Sequence, residues 1–259
     1  MPSLSELKII CRKPREKYHN WWAVKFSRHF SIYFTWFFVH TPITPNQLTF
    51  FQIILAWLAV FSLIIWQWQG IIPWIILMQL CFIFDLVDGE VARYKKKSSL
   101  FGVFLDSFGH VLINPAVYWS LSLFIYQQTT DIKIIYLAIF LSVFLISPSK
   151  HALMRAVTFL TTKKDNPIYN YKNLEKGDNN IKIQKNIISN FFKTISEFPN
   201  DMTIFCISLI LTLVFKDIIP LTISFVFFSI LIIFKEFYFL YKIKKENTVE
   251  REYLKIYQK

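Results

Sequence analysis

The sequence predicts an all-α polytopic membrane protein, with six transmembrane helices and an interfacial amphipathic helix ahead of them. Three observations carry that expectation. Hydrophobic residues make up 54% of the 259 positions and aromatic residues 19%. Apolar runs close to the ~20 residues needed to cross a hydrocarbon core recur along the chain. Basic residues, which give a formal net charge of +12, are segregated into particular connections rather than scattered. A soluble domain of this size has no use for such runs, so composition alone places the chain in a membrane.

The elements follow in order. Residues 1–46 form an N-terminal arm. Within it, YHNWWAVKFSRHFSIYFTWFFVH (18–40) mixes Trp, Phe and Tyr with Lys25, Arg28 and His29, which reads as a helix lying in the interface. A basic, aromatic start with no small-residue cleavage site does not match a secretory signal. The transmembrane domain spans 47–242, with crossings expected at 47–66, 71–93, 101–126, 132–150, 200–216 and 218–242. A polar, Asn- and Lys-rich cytosolic loop occupies about 151–199, and 243–259 is a basic tail.

Positive loops stay cytoplasmic. The N-terminal arm, the Arg93 to Lys97 turn, the 151–199 loop and the tail hold nearly all the Lys and Arg, whereas the intervening turns hold only Lys133 and Lys216. Both termini are therefore expected on the cytoplasmic side, as an even number of crossings requires, and the expected location is the bacterial cytoplasmic membrane. The basic surface suits lipid headgroups. No base-reading motif accompanies it, so nucleic acid is not an expected partner. Cys11, Cys81 and Cys206 lie far apart without metal-type spacing, which argues against a disulfide framework or a zinc site. His19, His29, His40 and His151 show no paired ligand spacing and read as interfacial residues.

The stretch DLVDGEVARYKKKSSLFGVFLDSFGH, Asp85 to His110, interrupts this apolar pattern. Asp85 and Asp88 are three residues apart at the end of the second span, and Asp106 and His110 are four apart at the start of the third. Each pair shares a helix face. A short basic turn makes the two helices antiparallel neighbours, so all four side chains can converge. Carboxylates at membrane depth are costly and usually functional; three together call for a cation, and an oxygen-rich set suits Mg²⁺ or Mn²⁺ with substrate phosphate as a further ligand. Gly89, Ala92 and Gly102 leave room for a ligand against the backbone, while Arg93 and Ser99 offer donors suited to phosphate. The blander alternative pairs these acids with Lys95 to Lys97 and treats the glycines as packing residues.

The stretch also resembles the signature of the CDP-alcohol phosphotransferase family, D-x2-D-G-x2-A-R-x8-G-x3-D-x3-D. Asp85, Asp88, Gly89, Ala92, Arg93, Gly102 and Asp106 occupy seven of its eight fixed places, and His110 stands at the eighth. The likeness extends to the six-helix layout, to the interfacial helix, to Asn46 and Thr49 in ITPNQLT at the start of the first membrane helix near the nucleotide, and to Ser99. It covers residues 40–160 well and the rest only in layout.

The resemblance implies that an acceptor alcohol attacks the β-phosphorus of a CDP-alcohol and releases CMP. Asp85, Asp88, Asp106 and the residue at 110 would hold two divalent ions, with the last residue as base. Three roles for His110 are open: general base, neutral metal ligand, or mark of a lost activity. The expected product is a phospholipid made from a CDP-diacylglycerol-like donor. The alternatives are a non-lipid donor or acceptor, or a silent nucleotide- and metal-binding protein. The family also often forms homodimers. For the acceptor, Lys150, His151 and Arg155 are either an anion site or a positive-inside anchor. Asp201 either orients an acceptor hydroxyl or answers a helix dipole, the preferred reading.

Overall fold

The computed structural model describes residues 4–12, 27–146, 148, 151–154, 200–245 and 248. Among these residues the chain is all helix, with no strand. The elements are α1 (Leu4–Arg12), α2 (Arg28–Val39), α3 (Pro45–Trp66), a 3₁₀ turn (Gln67–Gly70), α4 (Ile71–Tyr94), α5 (Leu100–Thr129), α6 (Ile132–Leu145), α7 (Asn200–Phe215) and α8 (Ile219–Lys245).

Local signals account for these boundaries. Thr44 caps α3 through a reciprocal box with Gln47: its Oγ1 accepts the Gln47 N–H at 3.4 Å, and Gln47 Oε1 accepts the Thr44 N–H at 2.8 Å. Pro45 at the first helical position loses no bond there. Ser99 caps α5 by accepting the Gly102 N–H at 3.0 Å, and Asp131 caps α6 by accepting the Lys133 N–H at 3.0 Å. Gln67, Lys96, Thr130 and Lys216 adopt positive φ at four inter-helix turns, each ending a helix where glycine is the usual choice.

Three helical stretches are long and apolar enough to cross a membrane: Pro45–Tyr94, Leu100–Thr129 and Ile219–Lys245. The first doubles back. Thr49 bonds Asp88 and Gln52 bonds Asp85, so partners on α4 fall in number as those on α3 rise, the register of an antiparallel hairpin. α6 and α7, at 14 and 16 residues, are shorter apolar helices; the segment expected at 132–150 is helical as one element as far as Leu145.

The core lies between these helices and is built on Trp74, Phe82, Tyr118, Phe124, Phe205, Phe225 and Phe228, all nearly or fully buried. Polar side chains bridge helices where hydrocarbon would leave them unsatisfied. Trp74 donates to Ser120 at 3.3 Å, Trp119 to Ser142 at 3.0 Å, and the Ser208 and Ser224 hydroxyls meet at 2.5 Å. At one end, Trp68 and Gln67 of the 3₁₀ turn both bond Gln128 of α5. At the opposite end lie the α4–α5 turn with Lys95 to Lys97 and, because α8 runs away from the first end, the Lys242, Lys244 and Lys245 cluster. α2 buries Ser31, Ile32 and Thr35 and turns Phe30, Tyr33, Trp36 and Phe37 outward. Residues 18–26 of the expected interfacial helix lie outside the described residues.

Gly70 sets how closely α3 and α4 meet. A Cβ there would drive into the Ser62 carbonyl and lie 2.9 Å from Leu63 Cα, backbone that cannot step aside. Gly70→Ala should destabilise the hairpin by ~3 kcal/mol or more, read as a lowered unfolding temperature of the detergent-solubilised protein.

Candidate active site

The site forms where the last turns of α4 meet the first turns of α5, with α3 behind them. Asp85 and Asp88 project from α4, and Asp106 and His110 from α5. His110 Nε2 lies 3.2 Å from Asp85 Oδ1 and 3.6 Å from Asp106 Oδ1. The ligand atoms of Asp85, Asp106 and His110 all fall within 4.8 Å of one another. Two carboxylates and an imidazole this close offer a mixed oxygen and nitrogen donor set that Mg²⁺ accepts and Mn²⁺ tolerates more readily, so the residues fit a divalent ion.

Asp88 takes a different position. Its Oδ2 accepts the Thr49 hydroxyl at 2.5 Å, and the residue is 8% exposed, whereas the Asp106 side chain is 47% exposed. The cluster is therefore closed on its α3 side and open along α5. Asp85 is bound on two sides, by His110 and by Gln52 Nε2 at 3.0 Å.

The expected phosphate and nucleotide residues border this cluster. A Cβ on Gly102 would come within 3.0 Å of Asn46 Oδ1 and 3.2 Å of Ser99 Oγ; glycine there lets the α5 start approach the α3 start, which places Asn46, Ser99 and Gly102 side by side. Ser99 Oγ already accepts the Gly102 N–H, and its hydroxyl proton is left to donate. Thr49 is committed to Asp88. Ala92 lies one turn beyond Asp88. Arg93 crosses above Gly89, where a Cβ would lie 3.2 Å from Nη1, and its Nε donates to the Cys11 carbonyl at 2.8 Å. Lys95, beyond the helix end, donates from Nζ to the Thr41 and Ile43 carbonyls at 2.7 and 2.8 Å. Burial, and secondarily Lys97, lowers its pKa.

The residues considered for the acceptor separate. Asp201 is 6% exposed at the start of α7. Its Oδ2 accepts the Tyr118 hydroxyl at 3.4 Å and its Oδ1 the Met202 N–H at 2.8 Å. Tyr118 lies two turns along α5 from His110, so Asp201 ties α7 to α5 deeper in the bundle. Lys150 and Arg155 lie outside the described residues, and the His151 side chain is exposed.

Two buried polar residues stand out beyond those the motif singles out. Gln52 is 2% exposed, and its Oε1 has no hydrogen-bond partner among the described residues. Its position three residues after Thr49, on the same face of α3, was the available signal. Glu90 is 2% exposed, and its carboxylate accepts Ser31 Oγ at 3.0 Å and Thr35 Oγ1 at 2.6 Å. It lies inside the signature, next to Gly89, at an unspecified position.

An acid and histidine cluster suited to a divalent ion, set at the ends of long apolar helices, belongs to an integral membrane protein. The family model described as CDP-alcohol phosphatidyltransferase matches residues 42–214, more than half of the chain; the chain belongs to this family and is a CDP-alcohol phosphotransferase. No individual curated protein matches it.

Removing the Thr49 hydroxyl leaves the Asp88 carboxylate buried without that donor. Thr49→Val should therefore cost about 1–3 kcal/mol of stability. Chemical denaturation in detergent, compared between Thr49→Val and Thr49→Ser, checks this, with the serine variant expected to stay near wild type.

Proposed function

We propose that this transferase moves a substituted phosphate group from a CDP-diacylglycerol-like donor to an acceptor alcohol in phospholipid biosynthesis. α3 to α8 would all span the membrane, with the termini and the site on the cytoplasmic face of a bacterial inner membrane; a homodimer is compatible with this layout. The convergence of Asp85, Asp106 and His110 within 4.8 Å, inside the matched region, is the observation that carries the reading. The shared end of the Lys95 to Lys97 and Lys242 to Lys245 clusters supports the sidedness.

In the reaction, the acceptor hydroxyl oxygen forms a bond to the β-phosphorus. The bond from that phosphorus to the bridging oxygen breaks, and CMP leaves with the electron pair. Asp85, Asp106 and His110, with Asp88 close behind, would hold Mg²⁺ or Mn²⁺, two ions on the family pattern. Bound there, such ions neutralise diphosphate charge and stabilise the leaving group. Asn46, Thr49, Gly89, Ala92, Ser99 and Gly102 form the border against which the nucleotide diphosphate lies, and Arg93 reaches the phosphates from above Gly89.

His110 is assigned as the base. Its Nε2 faces Asp85 and Asp106, and with those carboxylates engaged by a cation it would be left to accept the hydroxyl proton. One observation favours a second reading. Nε2 is itself among the clustered ligand atoms, and as a ligand it would be unable to take the proton.

Metal removal with a chelator should abolish CMP release, and Mn²⁺ or Mg²⁺ should restore it. With His110→Ala, the base assignment expects kcat to fall about 10²- to 10⁴-fold at an unchanged metal requirement, whereas the ligand assignment expects the half-activating metal concentration to rise. Chromatography of the lipid extract after turnover of CDP-diacylglycerol labelled in its acyl chains tests the product class: label that stays wholly in the donor would reject the phospholipid reading.

A further inference from the structure

The match to the family begins at residue 42, yet the residues before it are tied to the site by a continuous set of bonds from the end of α4. Glu90 holds α2 through the Ser31 and Thr35 hydroxyls. Lys95 holds the α2–α3 connection through the Thr41 and Ile43 carbonyls. Arg93, between them, holds α1: its Nε donates to the Cys11 carbonyl, while the Cys11 thiol donates to the Glu90 carbonyl at 3.4 Å. α1 is seated by Leu7 and Cys11, both fully buried, in a small apolar cluster with Ile32, against which Val39 and Tyr94 pack.

Arg93 is thus gripped at the middle of its side chain. Nε points to α1, and Nη1 and Nη2 lie over Gly89, at 3.2 and 3.8 Å from where a Cβ would stand. Gly89 follows Asp88 directly and lies one turn beyond Asp85, so the held fork lies over the glycine that adjoins the acids of α4. A long arginine side chain otherwise samples many rotamers, and holding its Nε removes most of that freedom before a phosphate arrives.

We infer that α1 is a positioning element of the active site: by accepting the Arg93 Nε–H on the Cys11 carbonyl, it presets the guanidinium for the diphosphate of the nucleotide donor. This rests on the reading of Arg93 as a phosphate contact in the proposed function. Arg93 touches the substrate and α1 acts through it. Linkage then runs both ways: if docked α1 strengthens nucleotide binding, bound nucleotide must strengthen docking by the same factor.

The test uses the full-length protein in lipid nanodiscs with Mn²⁺ and CDP as the diphosphate probe. Leu7→Asp undocks α1, and Leu7→Ala is the milder companion should the aspartate variant fail to fold. Undocking is read as maleimide modification of Cys11, located by peptide mass mapping. Modification should be slow in wild type, faster in either Leu7 variant, and slowed further in wild type by CDP. Either Leu7 variant and Arg93→Lys should each weaken CDP binding about tenfold, and the double variant should be no weaker than Arg93→Lys alone.

If CDP binds wild type and Arg93→Lys weakens it, but an undocked Leu7 variant binds CDP as wild type does, this inference falls and the site reading stands. Losses that multiply in the double variant, or Cys11 modification indifferent to CDP, also overturn it. If wild type binds no CDP, the reading of the site falls and takes the inference with it.

Discussion

The pairing of α3 with α4 governs the rest of the molecule. Two acids on α4, Asp85 and Asp88, lie on a helix long and apolar enough to be membrane-spanning, where an unsatisfied carboxylate is expensive. α3 supplies a donor for each, Gln52 to Asp85 and Thr49 to Asp88. A register slip of one residue between the helices would rotate both donors off their acceptors. The apolar contacts along the hairpin are permissive about register, whereas these two polar contacts are not. Gly70 allows the helices to come close at the far turn.

Given that register, the division of labour among the acids follows. Thr49 draws Asp88 toward α3 and into the protein. Asp85, bonded by Gln52 on one side, keeps its other side toward α5, where it meets His110 and Asp106. The α5 cap at Ser99 and the close approach at Gly102 set where α5 begins and hence the height at which Asp106 and His110 face α4. The same end of α4 carries a second polar set, Glu90, Arg93 and Lys95, on which the N-terminal helices rest. One helix end therefore presents Asp85 to α5 and an anchoring face to α1 and α2.

Much of this was legible from the residues. Apolar runs marked the positions of the helices from α3 to α8, because a continuous apolar run has only its own backbone to satisfy the polar main-chain groups. The i, i+3 and i, i+4 spacings put Asp85 with Asp88 and Asp106 with His110, and the short basic turn made their helices neighbours. What spacing could not convey was which of the four side chains would cluster. Sharing a face specifies direction to within a sector, while Asp88 was decided by a hydroxyl on another helix. Gln52 and Glu90 escaped notice for the same reason. A neutral amide in an apolar run and one more acid in a charged stretch acquire meaning only from partners distant in the chain. Asp201 lies in the first turn of α7, and it also accepts the Tyr118 hydroxyl, a contact no local pattern announces.

By itself the sequence determined an all-helical membrane protein, the position of the helices from α3 to α8 and the acid-rich stretch from Asp85 to His110, because hydrophobic length and helical periodicity are local properties. The tertiary structure decided that Asp85, Asp106 and His110 form the cluster while Asp88 leans on Thr49, and that α1 grips Arg93 through a backbone carbonyl. These choices rest on hydrogen bonds between residues far apart in the chain, one of them to a main-chain oxygen whose availability no side-chain identity records.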